Sequence, residues 1–174
     1  EAGKAVMEMV KKGITARDII TEASIKNAII TDIAIAGSTN LLLHLPAIAH
    51  EAGIDRDWWA FFDEMSHKVP WITGIAPCTK YSFTEWDMAG GMRGTIKTLL
   101  PLLDGDCMTV NGRTLRENNE NAPIYDEDII RPLSNPLTDD GGIAVLHGNI
   151  APDGAIIKSS AVDKSLRRKG KGVP

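Results

Sequence analysis

The sequence predicts an α+β protein in which a helical first part precedes a shorter, β-rich last part. Residues 1–103 carry apolar side chains at helical spacing in several stretches. Residues 141–160 instead carry two short apolar runs on either side of Pro152-Asp153-Gly154, a composition typical of a β-hairpin with a tight turn. At 174 residues and 43% hydrophobic content, the chain can bury the core of one or two small domains.

Helical periodicity indicates five stretches in the first part. In the second of them, Ile25, Ile29 and Ile33 recur on one helical face. We expect Gly90-Gly91 to break the fifth, because glycine is a weak helix former. The predicted helices are Ala2–Lys12, Thr21–Ala36, Thr39–Ala52, Asp57–His67 and Thr84–Leu103.

The composition changes after Leu103. Met108–Leu115 predicts a short strand, a turn at Asn111-Gly112 and the start of a capped helix. Arg116–Asp128 is polar, and we expect it to be exposed and to separate the two parts of the chain.

A small polar turn, Gly37–Asn40, joins the second and third predicted helices. Gly37 can take the left-handed conformation that ends one helix, and Ser38 or Thr39 can cap the next by accepting an amide hydrogen bond. Backbone amides at a helix start can also face an anion, which makes Gly37, Ser38, Thr39 and Asn40 candidates for a substrate or cofactor pocket. A plain helix junction has the same composition, so both interpretations stay open.

Composition and charge exclude several classes of protein. A formal net charge of −4 and a pI near 5.6 argue against a general nucleic-acid binder, which carries a clustered basic face. Lys164–Lys171 is basic but lacks interleaved aromatic residues, so we expect a solvated end. The sequence contains no run of about 18 apolar residues, so it predicts no membrane span. Two cysteines cannot form a disulfide framework, so we expect free thiols in a cytoplasmic protein.

The sequence contains no recognisable metal-ligand or nucleophile motif. His44 and His50 are six residues apart and would point in different directions on a helix. Cys78 and Cys107 have no neighbouring cysteine, whereas an iron–sulfur cluster usually needs several thiolates. Serine nucleophile elbows, phosphate-binding loops and dinucleotide fingerprints are also missing. We therefore predict no catalytic residue and no metal ligand in this chain.

Several segments, taken together and in order, nevertheless resemble one family of enzymes. They are Asn27–Asn40, His44–Gly53, Ala89–Gly91, Met108–Leu115, Ile130–Pro136 and Gly141–Gly154. In these segments the chain closely resembles the dihydroxy-acid dehydratases, a family that also includes 6-phosphogluconate and sugar-acid dehydratases. The resemblance extends over about residues 14–163.

The resemblance implies a division of the chain. Members join an N-terminal α/β domain to a C-terminal β-barrel-like domain. Residues 1–118 would be the mainly helical end of the first domain, residues 119–128 a linker, and residues 129–174 the start of the second. We accordingly expect the chain to be an internal part of a longer protein.

The resemblance also implies a reaction, which is the elimination of water from a 2,3-dihydroxy acid. A base takes the C2 proton, an iron Lewis acid helps the C3 hydroxyl to leave, and the enol becomes a 2-keto acid. Family members carry an iron–sulfur cluster (2Fe-2S or 4Fe-4S) and Mg²⁺, and the segments that hold them would lie outside this chain. The chain alone is then expected to be inactive.

The implied ligand is a small dihydroxy acid, with no nucleic acid or membrane partner, and the parent enzyme is expected to be a homodimer. Branched-chain amino-acid synthesis is the first interpretation, and a sugar-acid or 6-phosphogluconate dehydratase is the alternative. A catalytically inert structural piece is a third. The chain departs from the family at Ala36, where many members have a second glycine.

Overall fold

The computed structural model describes residues 2–163, which form a helix-rich protein with one small sheet. The helices are α1 (Ala2–Lys12), α2 (Ala16–Ile19), α3 (Glu22–Ala34), α4 (Leu41–Glu51), α5 (Trp58–Lys68), α6 (Phe83–Ala89), α7 (Gly91–Leu99) and α8 (Leu115–Asn119). Strands β1 (Ala144–Leu146) and β2 (Ala155–Ile157) pair antiparallel, with Val145 opposite Ile156. A short 3₁₀ turn follows at Ser159–Ala161. The predicted basic segment Lys164–Lys171 lies outside the described residues.

Helix α3 is the centre of the larger hydrophobic core. It begins at a capping box in which Thr21 accepts a hydrogen bond from the Ser24 amide and the Ser24 side chain accepts one from the Thr21 amide. Its apolar residues Ile29 and Ile33 are buried against α4 and α5. Helix α5 in turn packs on β1, so one core extends from the helical part into the hairpin.

A smaller core lies between α6, α7 and the segment that follows α8. Trp86, Ala89, Ile129 and Ile130 are buried together there. The Trp86 indole donates a hydrogen bond of 3.1 Å to the Thr95 hydroxyl, which satisfies the only polar atom of a buried tryptophan side chain.

Backbone hydrogen bonds tie the last part of the chain to the end of α3. The Ile72 amide donates to the Ala34 carbonyl, and the Arg131 amide donates to the Ile72 carbonyl. The Gly142 amide donates to the Ile33 carbonyl at 3.3 Å. Segments that are distant in sequence therefore surround the residues that follow α3.

The structure confirms the predicted helices at the positions of α1, α3, α4 and α5, and it confirms the break in the fifth, where Gly90 separates α6 from α7. It also confirms the capped helical start after Met108, because Thr114 caps α8. The strand expected there is only an isolated bridge between Met108 and Thr114. Helix α2 was not predicted, because four residues are too short to show a helical period.

The expected hairpin is present but smaller than predicted. Each strand has three residues, and the connection extends over residues 147–154. A tight turn closes within that loop, where the Gly154 amide donates to the Ala151 carbonyl at 3.1 Å. Residues 147–150, including the apolar Ile150, face solvent, and strand pairing stops before them.

The expected exposure of Arg116–Asp128 is wrong in its middle. Asn119 and Ala122 are buried, and the Lys97 ammonium donates a hydrogen bond of 2.7 Å to the Ala122 carbonyl. The Tyr125 amide donates to the Ala89 carbonyl. The rest of the segment is mostly exposed, as expected, and only its middle is bonded to α6 and α7.

Helix length bears on the membrane prediction. Among the helices of the described part of the chain, the longest is α3, with 13 residues. Within residues 2–163, no helix has both the length and the apolar character needed to span a bilayer.

Candidate functional site

The turn between α3 and α4 places its bend one residue earlier than predicted. Ala36, and not Gly37, adopts the left-handed conformation, with φ of +49°. Ala36 is 4% exposed and lies against Gly142 from the last part of the chain. Tertiary packing therefore holds an alanine in a conformation that glycine would adopt at lower cost.

Gly37 is needed for a different reason, which is the close approach of Asp32. A Cβ atom built on Gly37 would lie 1.9 Å from Asp32 Oδ1. Any side chain at this position would displace the carboxylate, so the glycine provides space and not a left-handed cap.

One amide of the turn faces an anion, but the anion belongs to the protein. The Gly37 amide donates to the Asp32 carbonyl at 2.8 Å, and the Ser38 amide donates to Asp32 Oδ1 at 2.9 Å. These two donors are thus occupied, and they do not form an empty anion site. The pocket assignment of residues 37–40 itself stays a prediction.

The predicted capping of α4 is also wrong. The N-cap residue is Asn40, and its side chain makes no capping hydrogen bond. The Ser38 hydroxyl accepts a hydrogen bond from the Asn40 amide at 3.3 Å, which lies before the helix starts. Ser38, Thr39 and Asn40 are all exposed, so their side chains can meet a ligand or another segment.

Asp32 is the strongly perturbed carboxyl group of this region. It is 4% exposed, and burial raises its pKa from 3.8 to about 6, although the Ser38 amide and the Lys158 ammonium act in the opposite direction. Its second oxygen, Oδ2, is buried without a hydrogen-bond partner among the residues that the structure describes. A buried carboxylate of this kind is costly and marks a candidate functional site.

An open, apolar cavity of about 530 Å³ borders the turn. Ile35 and Leu41, which flank the turn, contribute to its wall, and Asp32 is its one acidic residue. Apolar cavities with a few polar groups are the usual form of small-molecule sites. The other lining residues are Ile19, Ser24, Asn27, Ala28, Thr31, Met92, Ile96, Cys107, Met108, Thr109, Val110 and Leu115.

The side chains of the turn can supply recognition of a ligand. The exposed hydroxyls of Ser38 and Thr39 can hydrogen-bond to hydroxyl or carboxylate groups. The adjoining apolar wall can bury an alkyl group. Sequence reasoning selected the turn but missed Asp32, although a charged residue within the apolar run Ala28–Ala36 signals a buried carboxylate.

Sequence reasoning also missed Lys158, and no spacing in the sequence relates it to Asp32. The Ser160 amide donates to the Gly142 carbonyl at 3.1 Å, and Gly142 is bonded to the end of α3 through Ile33. These bonds carry Lys158 into electrostatic range of Asp32.

The described residues do not fit an iron–sulfur cluster or a bound metal ion. The free thiol of Cys78 lies 3.4 Å from the Ser160 hydroxyl, whereas that of Cys107 lies 3.5 Å from the Asn27 side-chain amide. Across residues 2–163, no group of three or more His, Cys, Asp or Glu side chains is arranged to hold a metal ion. A cluster would need further thiolates, so no chemical step is assigned to such groups here.

Comparison with protein families accounts for both parts of the chain. Residues 1–118 match the family model described as "Dihydroxy-acid/6-phosphogluconate dehydratase N-terminal". Residues 128–173 match its C-terminal counterpart. The chain belongs to this dehydratase family.

Similar members of the dehydratase family come from bacteria and archaea. A dihydroxy-acid dehydratase of Agathobacter rectalis is 48% identical over 172 residues, which is 97% of this chain and 31% of that protein. Dihydroxy-acid dehydratases of Clostridium novyi and Ignicoccus hospitalis are 46% and 43% identical over 95% and 98% of the chain. The chain spans about three tenths of the length of the curated relatives that it matches.

Proposed function

We propose that this chain forms part of a hydro-lyase that converts a 2,3-dihydroxy acid to a 2-keto acid, most simply in branched-chain amino-acid synthesis. The observation that carries the proposal is the match of both dehydratase family models to one chain, in order. The relatives named above are all dihydroxy-acid dehydratases, which favours that activity over 6-phosphogluconate dehydration.

In this proposal the chain supplies a wall of the substrate pocket. The hydroxyls of Ser38 and Thr39 bind the polar end of the substrate, and the apolar cavity beside them receives its aliphatic end. The net reaction removes the C2 proton and the C3 hydroxyl as water, and the resulting enol rearranges to the keto acid. An apolar wall suits an alkyl tail better than a phosphorylated sugar chain.

The proposal extends to the parts of the enzyme that lie beyond this chain. An iron–sulfur cluster and Mg²⁺ would be held by residues supplied elsewhere, since the described side chains do not form such a site. Residues 119–128 would connect an α/β domain to a β-barrel-like domain that starts near residue 129. We further propose a cytoplasmic homodimer.

A domain-replacement experiment tests the function. The 172 matching residues of the Agathobacter rectalis dihydroxy-acid dehydratase are replaced by this chain, and keto-acid formation is measured under anaerobic conditions. We expect turnover of a branched-chain 2,3-dihydroxy acid and little turnover of 6-phosphogluconate. The unmodified A. rectalis enzyme and the 174-residue chain alone are the controls, and the chain alone is expected to be inactive.

The outcomes separate the alternatives. A chimera that prefers 6-phosphogluconate would favour the alternative, in which the chain belongs to a 6-phosphogluconate dehydratase. A folded, cluster-containing chimera without activity on either acid would leave the chain as a structural piece and refute the proposal.

A further inference from the structure

The buried carboxylate of Asp32 connects the end of α3 to the turn that follows it. Its Oδ1 accepts the Ser38 amide hydrogen at 2.9 Å, and its main-chain carbonyl accepts the Gly37 amide hydrogen at 2.8 Å. The Cα of Gly37 approaches the carboxylate so closely that no side chain fits there. One residue thus fixes two successive peptide groups of the turn.

Lys158, in the region of the C-terminal family match, acts electrostatically on the same carboxylate. The segment that carries it is held to α3 through Gly142, whose amide donates to Ile33 and whose carbonyl accepts from Ser160. The ammonium group favours the ionised form of Asp32. The hydrogen bonds of Gly142 therefore join the two parts of the chain beside the turn.

We infer that Asp32 is a positioning residue of the substrate pocket: it holds the Ser38–Thr39 turn through the hydrogen bond that its carboxylate accepts from the Ser38 amide. The inference rests on the proposed function of the turn. Asp32 lines the cavity but is only 4% exposed, so we place its action on the substrate in the exposed hydroxyls that it positions.

Asp32 can position the hydroxyls because the turn could adopt other positions without its hydrogen bonds. The side chains of Ser38 and Thr39 are exposed, and the Ser38 hydroxyl accepts a hydrogen bond from the Asn40 amide at 3.3 Å. Their direction depends on the peptide groups before them, and the Asp32 hydrogen bonds are the anchors of those groups. A misplacement of about 1 Å in a binding group can lower turnover strongly.

Two substitutions of Asp32 separate its hydrogen bond from its charge. Asp32→Ala removes the acceptor, whereas Asp32→Asn keeps an oxygen that can accept from the Ser38 amide but removes the charge. Asp57→Ala is the matched control, because Asp57 also accepts a backbone amide at 2.9 Å, from Ala60, at the start of α5. All variants are made in the chimera described above and in the 174-residue chain.

In the chimera, we expect Asp32→Ala to lower kcat/KM at least tenfold and Asp32→Asn to keep it within about threefold of the parent. Asp57→Ala should lower thermal stability without changing kcat/KM. Full activity in Asp32→Ala would overturn the inference. Equal loss in both Asp32 variants would also overturn it, because charge and not the hydrogen bond would then be required.

Hydrogen exchange in the 174-residue chain gives a readout that does not need turnover. We expect the Ser38 amide to exchange at least tenfold faster in Asp32→Ala than in the parent or in Asp32→Asn. Equal exchange in all three proteins would refute the positioning role. An inactive parent chimera combined with the expected exchange pattern would refute the proposed function and leave the anchoring of the turn established.

A double-mutant cycle tests Lys158. Lys158→Met should lower the melting temperature at pH 7.5 by about 2 °C in the parent and leave it unchanged when Asp32 is already Asn. Lys4→Met, on the exposed helix α1, is the control for loss of a surface charge. The same shift in both backgrounds would show that the charge of Lys158 does not act on Asp32.

Discussion

Ala36 and Gly142 approach so closely that a Cβ atom built on Gly142 would lie 2.2 Å from the Cβ of Ala36. Ala36 follows α3, and Gly142 precedes β1, so this contact joins the two parts matched by the dehydratase family. It also explains why the chain turns at an alanine. The left-handed residue is held by packing against a neighbour that has no side chain.

Gly142→Ala is expected to lower the free energy of unfolding by about 3 kcal/mol, because the added methyl group would overlap the Cβ of Ala36. The measurement is urea denaturation of the 174-residue chain. Gly148→Ala is the control, since nothing lies within 4 Å of a Cβ there. Similar stabilities for the two variants would mean that the contact relaxes easily.

Ala36→Gly is expected to change the free energy of unfolding little, because loss of a buried methyl is offset by relief of about 1–2 kcal/mol of left-handed strain. The contrasting variant is Ala34→Gly. Ala34 is equally buried but helical, so this variant should cost about 2 kcal/mol. A comparable loss in both would show that the conformation of Ala36 carries no strain.

Asp32 should make stability fall as the pH rises. Its folded pKa of about 6 lies above the value of 3.8 expected when unfolded, so the folded state binds the proton more tightly. The contribution of Asp32 to the free energy of unfolding, about 3 kcal/mol in total, is present below about pH 4 and is lost by about pH 6. The measurement is the difference in unfolding free energy between the parent chain and Asp32→Asn from pH 4 to 7. A difference that does not vary with pH would contradict it.

Ser38→Ala and Thr39→Ala should each lower kcat/KM of the chimera about tenfold while shifting its melting temperature by less than about 1 °C. The loss of one hydrogen bond to the substrate has about this effect on kcat/KM. The melting temperature should change little because the exposed Ser38 side chain accepts only one long hydrogen bond, of 3.3 Å, from the Asn40 amide. Ser82→Ala is the matched control, because Ser82 is a true N-cap that accepts from the Glu85 amide. It should cost about 1 kcal/mol of stability and leave kinetics unchanged. If the Ser38 and Thr39 variants changed stability but not kinetics, the turn would be a plain helix junction and not part of the substrate pocket.

The 174-residue chain is expected to acquire no iron–sulfur cluster on anaerobic reconstitution. Its two free cysteines hydrogen-bond to different segments, and a cluster usually needs three or four thiolates. In the chimera, Cys78→Ser and Cys107→Ser should leave the iron content unchanged. The measurements are visible absorption and iron analysis. Iron loss in either variant would identify that cysteine as a ligand.

Local sequence patterns were sufficient to predict most of the helices. The spacing of Ile25, Ile29 and Ile33 determines which face of α3 is buried, and Gly90 determines where α6 ends. Both features act over a few residues, so the sequence contains them directly. The resemblance of the Asn27–Asn40 segment to the dehydratases likewise required no structure, and the family models confirm it.

Tertiary structure decided the features that depend on distant residues. The sequence favoured Gly37 for the left-handed turn, but Gly142 leaves space for Ala36 there, and the Asp32 carboxylate requires Gly37 for close approach. The electrostatic effect of Lys158 on Asp32 depends on how segments more than 100 residues apart pack together. Periodicity carries no information about such contacts, because burial and charge at one residue are set by whichever segment packs against it.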